Sequence, residues 1–168
     1  MHKNIVLIGM PGCGKSTLGF FLSKKLQLDF IDLDVYIETK ENKKIPEIFQ
    51  KGEDYFRYLE AKSVEEVSKL NSNVISTGGG VIKREENIKS LKGNGRLIFI
   101  DRPLEKILED IDTENRPLLK YKKDNLYNLY KERYELYKKY ADYRILNEGS
   151  LEGVLNEILN LLEKENII

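Results

Sequence analysis

The run Gly9-Met10-Pro11-Gly12-Cys13-Gly14-Lys15-Ser16-Thr17 holds residue types suited to one chemistry, the binding of a polyphosphate. Its spacing is G-x-x-x-x-G-K-[ST]. An apolar, β-branched run at residues 3–8 precedes it, and helix-spaced apolar residues at 18–26 follow it. Glycines let successive N–H groups turn toward phosphate oxygens. The helix that starts there faces the anion with its unpaired N–H groups and its dipole. Lys15 reaches the β- and γ-phosphates as a point charge, and the Ser16 hydroxyl suits a magnesium ion. Such a loop binds a nucleotide but leaves the acceptor open.

The acceptor must be read from other groups reaching the same sheet edge. Residues 28–32 read as a second strand, so Asp32 and Asp34 leave the sheet at its carboxyl edge, where open α/β sheets bind ligands. Residues 73–77 read as a third strand ending in Gly78-Gly79-Gly80. Three glycines there imply either positive φ or a very close approach to the backbone. Asp34 suits a hydroxyl, which it can orient and deprotonate. Lys15 and Arg116 suit a transferring phosphoryl group. Arg57 and Arg133 suit a carboxylate, which a guanidinium holds by two parallel hydrogen bonds. Spacing does not bring these two arginines together, and each alone reads first as a solvated helix residue. Asp101 ends a fourth apolar strand, 96–101, and competes with Asp32 for the magnesium role.

The elements that must position these groups alternate. Short helices are expected at 35–40 and 46–51, and a longer one from 52 to about 70. Further helices are expected at 85–92, 103–111, 125–141 and 151–162, with a fifth strand at 143–146. Residues 112–124 are polar and charged, interrupted by Arg116-Pro117-Leu118-Leu119, and read as a mobile lid. Strands alternating with helices imply a parallel sheet covered on both faces. A length of 168 residues suits one domain, spanning 1–168. The 28 basic and 28 acidic side chains balance, which removes the bulk electrostatic case for a nucleic acid or an anionic membrane. No apolar run approaches the roughly 20 residues of a membrane span. One cysteine and no basic-plus-apolar leader point to the cytoplasm.

Taken together, the phosphate loop, Asp32-Leu33-Asp34, Gly52-Glu53-x-x-Phe56-Arg57-x-x-Glu60, the triple glycine, Arg116-Pro117-Leu118-Leu119 and Arg133-x-x-x-Tyr137 resemble shikimate kinase. The motifs occur in that family's order across nearly the whole chain, and only jointly are they specific. The resemblance implies a three-layer α/β/α P-loop kinase fold with a five-stranded parallel sheet, substrate-binding helices at about 34–60 and a lid at about 112–124. It implies an ATP-dependent phosphotransferase acting on an alcohol, converting shikimate to shikimate 3-phosphate on the route to chorismate and the aromatic amino acids. Asp34, Arg57, Gly79 and Arg133 are the residues it places on shikimate. Gly12, Cys13, Gly14, Lys15, Ser16 and Thr17 hold the ATP phosphates. Ser16 and Asp32 serve Mg2+, and Arg116 reaches the phosphates from the lid. Lys15, Asp34 and Arg116 carry the catalysis. Glu60 orients Arg57 from one helical turn away. The resemblance also suggests a monomer.

Two departures concern adenine. Many members carry a basic residue on the near side of the lid that stacks on the base, whereas Leu108-Glu109-Asp110-Ile111 is acidic and apolar here. Some place an arginine after the fifth strand, where this chain reads Asn147-Glu148-Gly149-Ser150. The loop at Asn147 is the one candidate for adenine contact. Cys13 reads as a filler between loop glycines, and alkylating it is expected to block ATP by bulk. The rival readings are another small P-loop kinase, acting on gluconate or a nucleoside monophosphate, and a non-enzymatic ATP-binding regulator.

Overall fold

The computed structural model describes residues 3–114 and 119–168, apart from the side chains of 112–122. Five parallel strands form one sheet in the order β2-β3-β1-β4-β5. They are β1 (Asn4–Ile8), β2 (Asp29–Asp32), β3 (Asn73–Ser76), β4 (Gly95–Asp101) and β5 (Tyr143–Leu146). The helices are α1 (Lys15–Leu26), α2 (Leu33–Glu41), α3 (Ile45–Phe49), α4 (Glu53–Ser68), α5 (Glu85–Gly93), α6 (Leu104–Glu114), α7 (Leu119–Tyr140) and α8 (Leu151–Lys164). A 3-10 turn at Val81–Lys83 follows the triple glycine.

The central strands read as continuous apolar runs because both their faces are covered. Every residue of β1 and β3 is buried, while the edge strands β2 and β5 stay partly open. Strand β1 lies between β3 and β4, pairing Val6 with Ile75 on one side and with Leu97 on the other. The chain goes first to one side of β1 and later to the other, so the loop leaving β1 opens at the switch point of the sheet.

Two expectations change. Helix α2 starts at Leu33, because the Asp32 carboxylate accepts hydrogen bonds from the N–H groups of Asp34 (3.1 Å) and Val35 (3.2 Å) and caps it. Asp34 therefore sits in the first helical turn. The stretch 112–124 is also helical at both ends, since α6 continues to Glu114 and α7 begins at Leu119. Pro117 is the first breaker after Pro103, so nothing earlier stops α6. Residues 115–118, Arg116 among them, lie outside the described residues.

Candidate active site

The phosphate loop reaches its shape through left-handed backbone at Gly14, whose φ of 96° is accessible to glycine at little cost. Helix α1 begins at once with Lys15-Ser16-Thr17, so its first turn belongs to the loop. A groove of ≈ 410 Å³ opens over Gly12, Gly14, Lys15, Ser16 and Thr17 and extends to Asp34, Gly78 and Gly79. Lys15 is buried, and its Nζ donates to the carbonyls of Gly9 (2.8 Å) and Met10 (2.9 Å). Cys13 turns inward. Its N–H donates to Met10, its Sγ lies 3.5 Å from Lys15 Nζ, and its side chain is buried. Burial shields the thiol from the alkylation considered above.

Ser16 and Asp32 meet, with Ser16 Oγ donating to Asp32 Oδ2 at 2.6 Å and lying 3.2 Å from Ser76 Oγ. Asp101 goes elsewhere. Its Oδ2 accepts from Tyr134 Oη (2.8 Å) and from Arg144 Nε (2.7 Å), on the far side of β4 from β2. Burial and the Asp101 carboxylate push the Tyr134 hydroxyl up to about 12. Between the two acids, geometry favours Asp32 as the partner of Ser16.

Beyond Asp34 a second cleft of ≈ 220 Å³ continues from the first. It is lined by Asp34, Arg57, Glu60, Arg133 and the triple glycine, with Ile45, Phe49 and Phe56 as an apolar wall. The two arginines, 76 positions apart in the numbering, therefore face one small space, and both are buried. Arg57 Nη1 donates to Glu60 Oε1 at 2.8 Å and its Nε to Glu53 Oε1 at 3.3 Å. Phe56 stacks on Phe49, and the Arg57 guanidinium lies 5.1 Å over the Phe56 ring centre. Among the described residues, Arg133 Nε and Glu60 Oε2 are buried without a hydrogen-bond partner.

The triple glycine works by close approach, since none of its three residues has positive φ. An added Cβ on Gly78 would stand 3.0 Å from Asp34 Oδ1, and one on Gly79 would stand 2.8 Å from Pro11 and 3.3 Å from Arg133 Nη1. One on Gly80 would fall on the Arg57 guanidinium. Each glycine thus makes room for one charged member of the site.

Asp34 lines both clefts. Burial, and next the Asp32 charge, hold its carboxyl above the usual aspartate range, against the pull of Lys15 and Arg57. Burial likewise raises Glu60, opposed chiefly by Arg57. An acid poised in this way, between a phosphate groove and a cleft with two guanidinium groups, can take a proton from a hydroxyl while a carboxylate is held beyond it.

A family model for shikimate kinase matches residues 11–163. The shikimate kinase of Clostridium botulinum (strain Alaska E43 / Type E3) is 51% identical over 96% of this chain and 98% of its own. The chain belongs to the shikimate kinase family. Two solved structures of the family superpose closely. The shikimate kinase of Acinetobacter baumannii, in complex with shikimate, gives a TM-score of 0.89 at 35% identity, covering 98% of this chain and 95% of that one. The Aquifex aeolicus enzyme gives 0.85 at 42%, covering 97% and 98%.

Within this shikimate kinase fold, several residues at the site make contacts that the sequence alone did not specify. Tyr137 is fully buried, and its hydroxyl donates to the Gly79 carbonyl at 2.5 Å, fixing the middle glycine to α7. Burial drives that phenol far above its ordinary range. Its place four residues after Arg133 could have marked it as facing the same side of α7. Phe49 and Ile45 carry no polar signal. Asn147 Nδ2 donates to the Cys13 carbonyl at 2.8 Å, and Arg102 Nη1 to the Gly12 carbonyl at 3.0 Å. Asn147 was expected near adenine, and no local pattern pointed to Arg102.

Proposed function

We propose that this chain transfers the γ-phosphoryl group of ATP to the 3-hydroxyl of shikimate, giving shikimate 3-phosphate and ADP, in the route to chorismate and the aromatic amino acids. The observation that supports it most is the single line of groups from Lys15 through Asp34 to Arg57 and Arg133, with Asp34 common to both clefts. Arg57 and Arg133 hold the shikimate carboxylate, and the Gly79 backbone contacts the ring. Asp34 orients the 3-hydroxyl and takes its proton as the oxygen bonds to the γ-phosphorus and the bond to the β-phosphate oxygen breaks. The backbone of Gly12, Cys13, Gly14, Lys15, Ser16 and Thr17 and the Lys15 ammonium carry the phosphates. Arg116 adds charge to them, a role resting on the family resemblance.

The oxygen donors Ser16 and Asp32 fit Mg2+, which takes one or two protein oxygens and completes its shell with phosphates and water. That ion neutralises charge on the β- and γ-phosphates when bound. Pre-positioning and charge, more than covalent chemistry, supply the rate. No helix among the described residues is long and apolar enough to cross a membrane. We assign the enzyme to the cytoplasm as a monomer on the family resemblance. ADP formation with and without shikimate tests the reading. Shikimate-dependent ADP at a rate well above that with gluconate or nucleoside monophosphates is expected, and a rate indifferent to shikimate overturns it.

A further inference from the structure

The outer side of the phosphate loop, away from the groove, is gripped by two side chains. Asn147 and Arg102 each lie one residue past a strand end, and those ends, Asp101 of β4 and Leu146 of β5, are paired in register. The Asn147 N–H donates to the Asp101 carbonyl at 2.8 Å, so both residues spring from one fixed point. From there Asn147 Nδ2 reaches the Cys13 carbonyl and Arg102 Nη1 the Gly12 carbonyl, two successive acceptors of the loop. Asp110 of α6 holds the Arg102 guanidinium from the other side at 2.6 Å. Ile107 of α6 packs where a side chain on Gly12 would begin, 3.1 Å away.

These contacts bear on phosphate binding through peptide geometry. Among the described residues every peptide is trans, so the C=O and N–H of one peptide unit point to opposite sides. A Cys13 carbonyl turned to Asn147 turns the Gly14 N–H the other way, toward the groove that Gly14 lines. The unit before it is held at both ends, by Arg102 on the Gly12 carbonyl and by the Met10 carbonyl on the Cys13 N–H. We infer that Asn147 and Arg102 are positioning residues for the nucleotide, acting through the loop carbonyls to aim a phosphate-binding N–H, and not contacts to the base. The inference rests on the ATP-binding reading above and assigns the Asn147 amide to the loop, not to adenine.

The test is binding of ADP and of inorganic tripolyphosphate, each measured by calorimetry without acceptor. Asn147→Ala is expected to weaken both by about tenfold, the loss of roughly one hydrogen bond's worth of pre-organisation. Asn147→Asp, similar in size but without an N–H donor, is expected to do the same and covers any folding defect in the first variant. Arg102→Ala is expected to weaken both about fivefold, with Arg102→Lys recovering most of it, since Lys keeps a donor. The KM for shikimate is expected to stay within about twofold throughout, because the acceptor cleft shares none of these contacts. A loss confined to ADP, with tripolyphosphate binding intact, overturns the inference, since the side chains would then act on the base. Unchanged binding of both ligands, or a loss that merely follows the melting temperature, also overturns it. Failure of the functional reading is seen separately, as an unmodified protein that binds ADP but makes none in response to shikimate.

Discussion

The two ends of the active site are built by opposite means. The proposed nucleotide end is nine consecutive residues, Gly9 to Thr17, a loop and the first turn of the helix that follows it. The proposed acceptor end draws Asp34 from α2, Arg57 and Glu60 from α4, Arg133 from α7 and bare backbone from the turn after β3. One end needs a local conformation. The other needs the whole sheet to be in register before its charges meet. The acceptor end also keeps two guanidinium groups and the Glu60 carboxylate out of water, where Arg57 and Glu60 depend on each other.

Four substitutions sharpen that contrast, and the largest effects are expected where the two ends meet the reacting atoms. Lys15→Met is expected to lower kcat roughly 10³-fold or more, as loss of a cation on the transferring group does elsewhere. Its KM for shikimate should hardly move, and steady-state kinetics with both substrates varied checks this. Asp34→Asn is expected to lower kcat roughly 10²- to 10³-fold, the usual scale for a general base. Because the Asp34 carboxyl is held above its ordinary range, the protonated form is favoured in the fold. Its stabilising contribution is present at low pH and lost as pH rises through the raised value. Asp34→Asn should therefore melt a few degrees higher at neutral pH, by calorimetry. For the same reason the acid limb of kcat in the unmodified enzyme should lie above that of an ordinary aspartate. Retained turnover with a lowered melting point would remove Asp34 from both roles.

Smaller effects are expected at the far end of the acceptor cleft. Arg133→Ala should raise the KM for shikimate roughly 30-fold, from about 2 kcal/mol for removing one member of a buried charge pair, with the KM for ATP nearly constant. Equal changes in both KM values would show that the two ends are not separable. Gly80→Ala puts a methyl group onto the Arg57 guanidinium, and a rise of roughly tenfold in the same KM is expected. An unaffected Gly80→Ala enzyme would mean that Arg57 can move aside without loss.

Legibility followed the same division. The phosphate loop could be read because its chemistry lies in one run of sequence with a strand before it and a helix after it. The pairing of Arg57 with Glu60 came from the family resemblance, with helical spacing allowing it, while Asp32 and Asp34 were legible through their place at a strand end. That Arg133 joins them is a property of topology, which spacing does not encode, and it came from the family resemblance. The rivalry between Asp32 and Asp101 was open for the same reason, since both end strands and only strand order separates them. The contact of Asn147 with Cys13 spans 134 positions and has no local trace. The helix bounds around 112–124 were read too short because polar composition was taken for loop where no breaker stood before Pro117.

Part of the lining of the proposed acceptor cleft is main chain, with Gly78, Gly79 and Gly80 each pressed against a charged neighbour. A wall without side chains offers evolution nothing to vary there. Drift of this scaffold toward a differently shaped acceptor is left to the apolar part of the lining, at Ile45, Phe49 and Phe56. Libraries meant to alter acceptor choice should therefore diversify those three positions and leave the glycines alone.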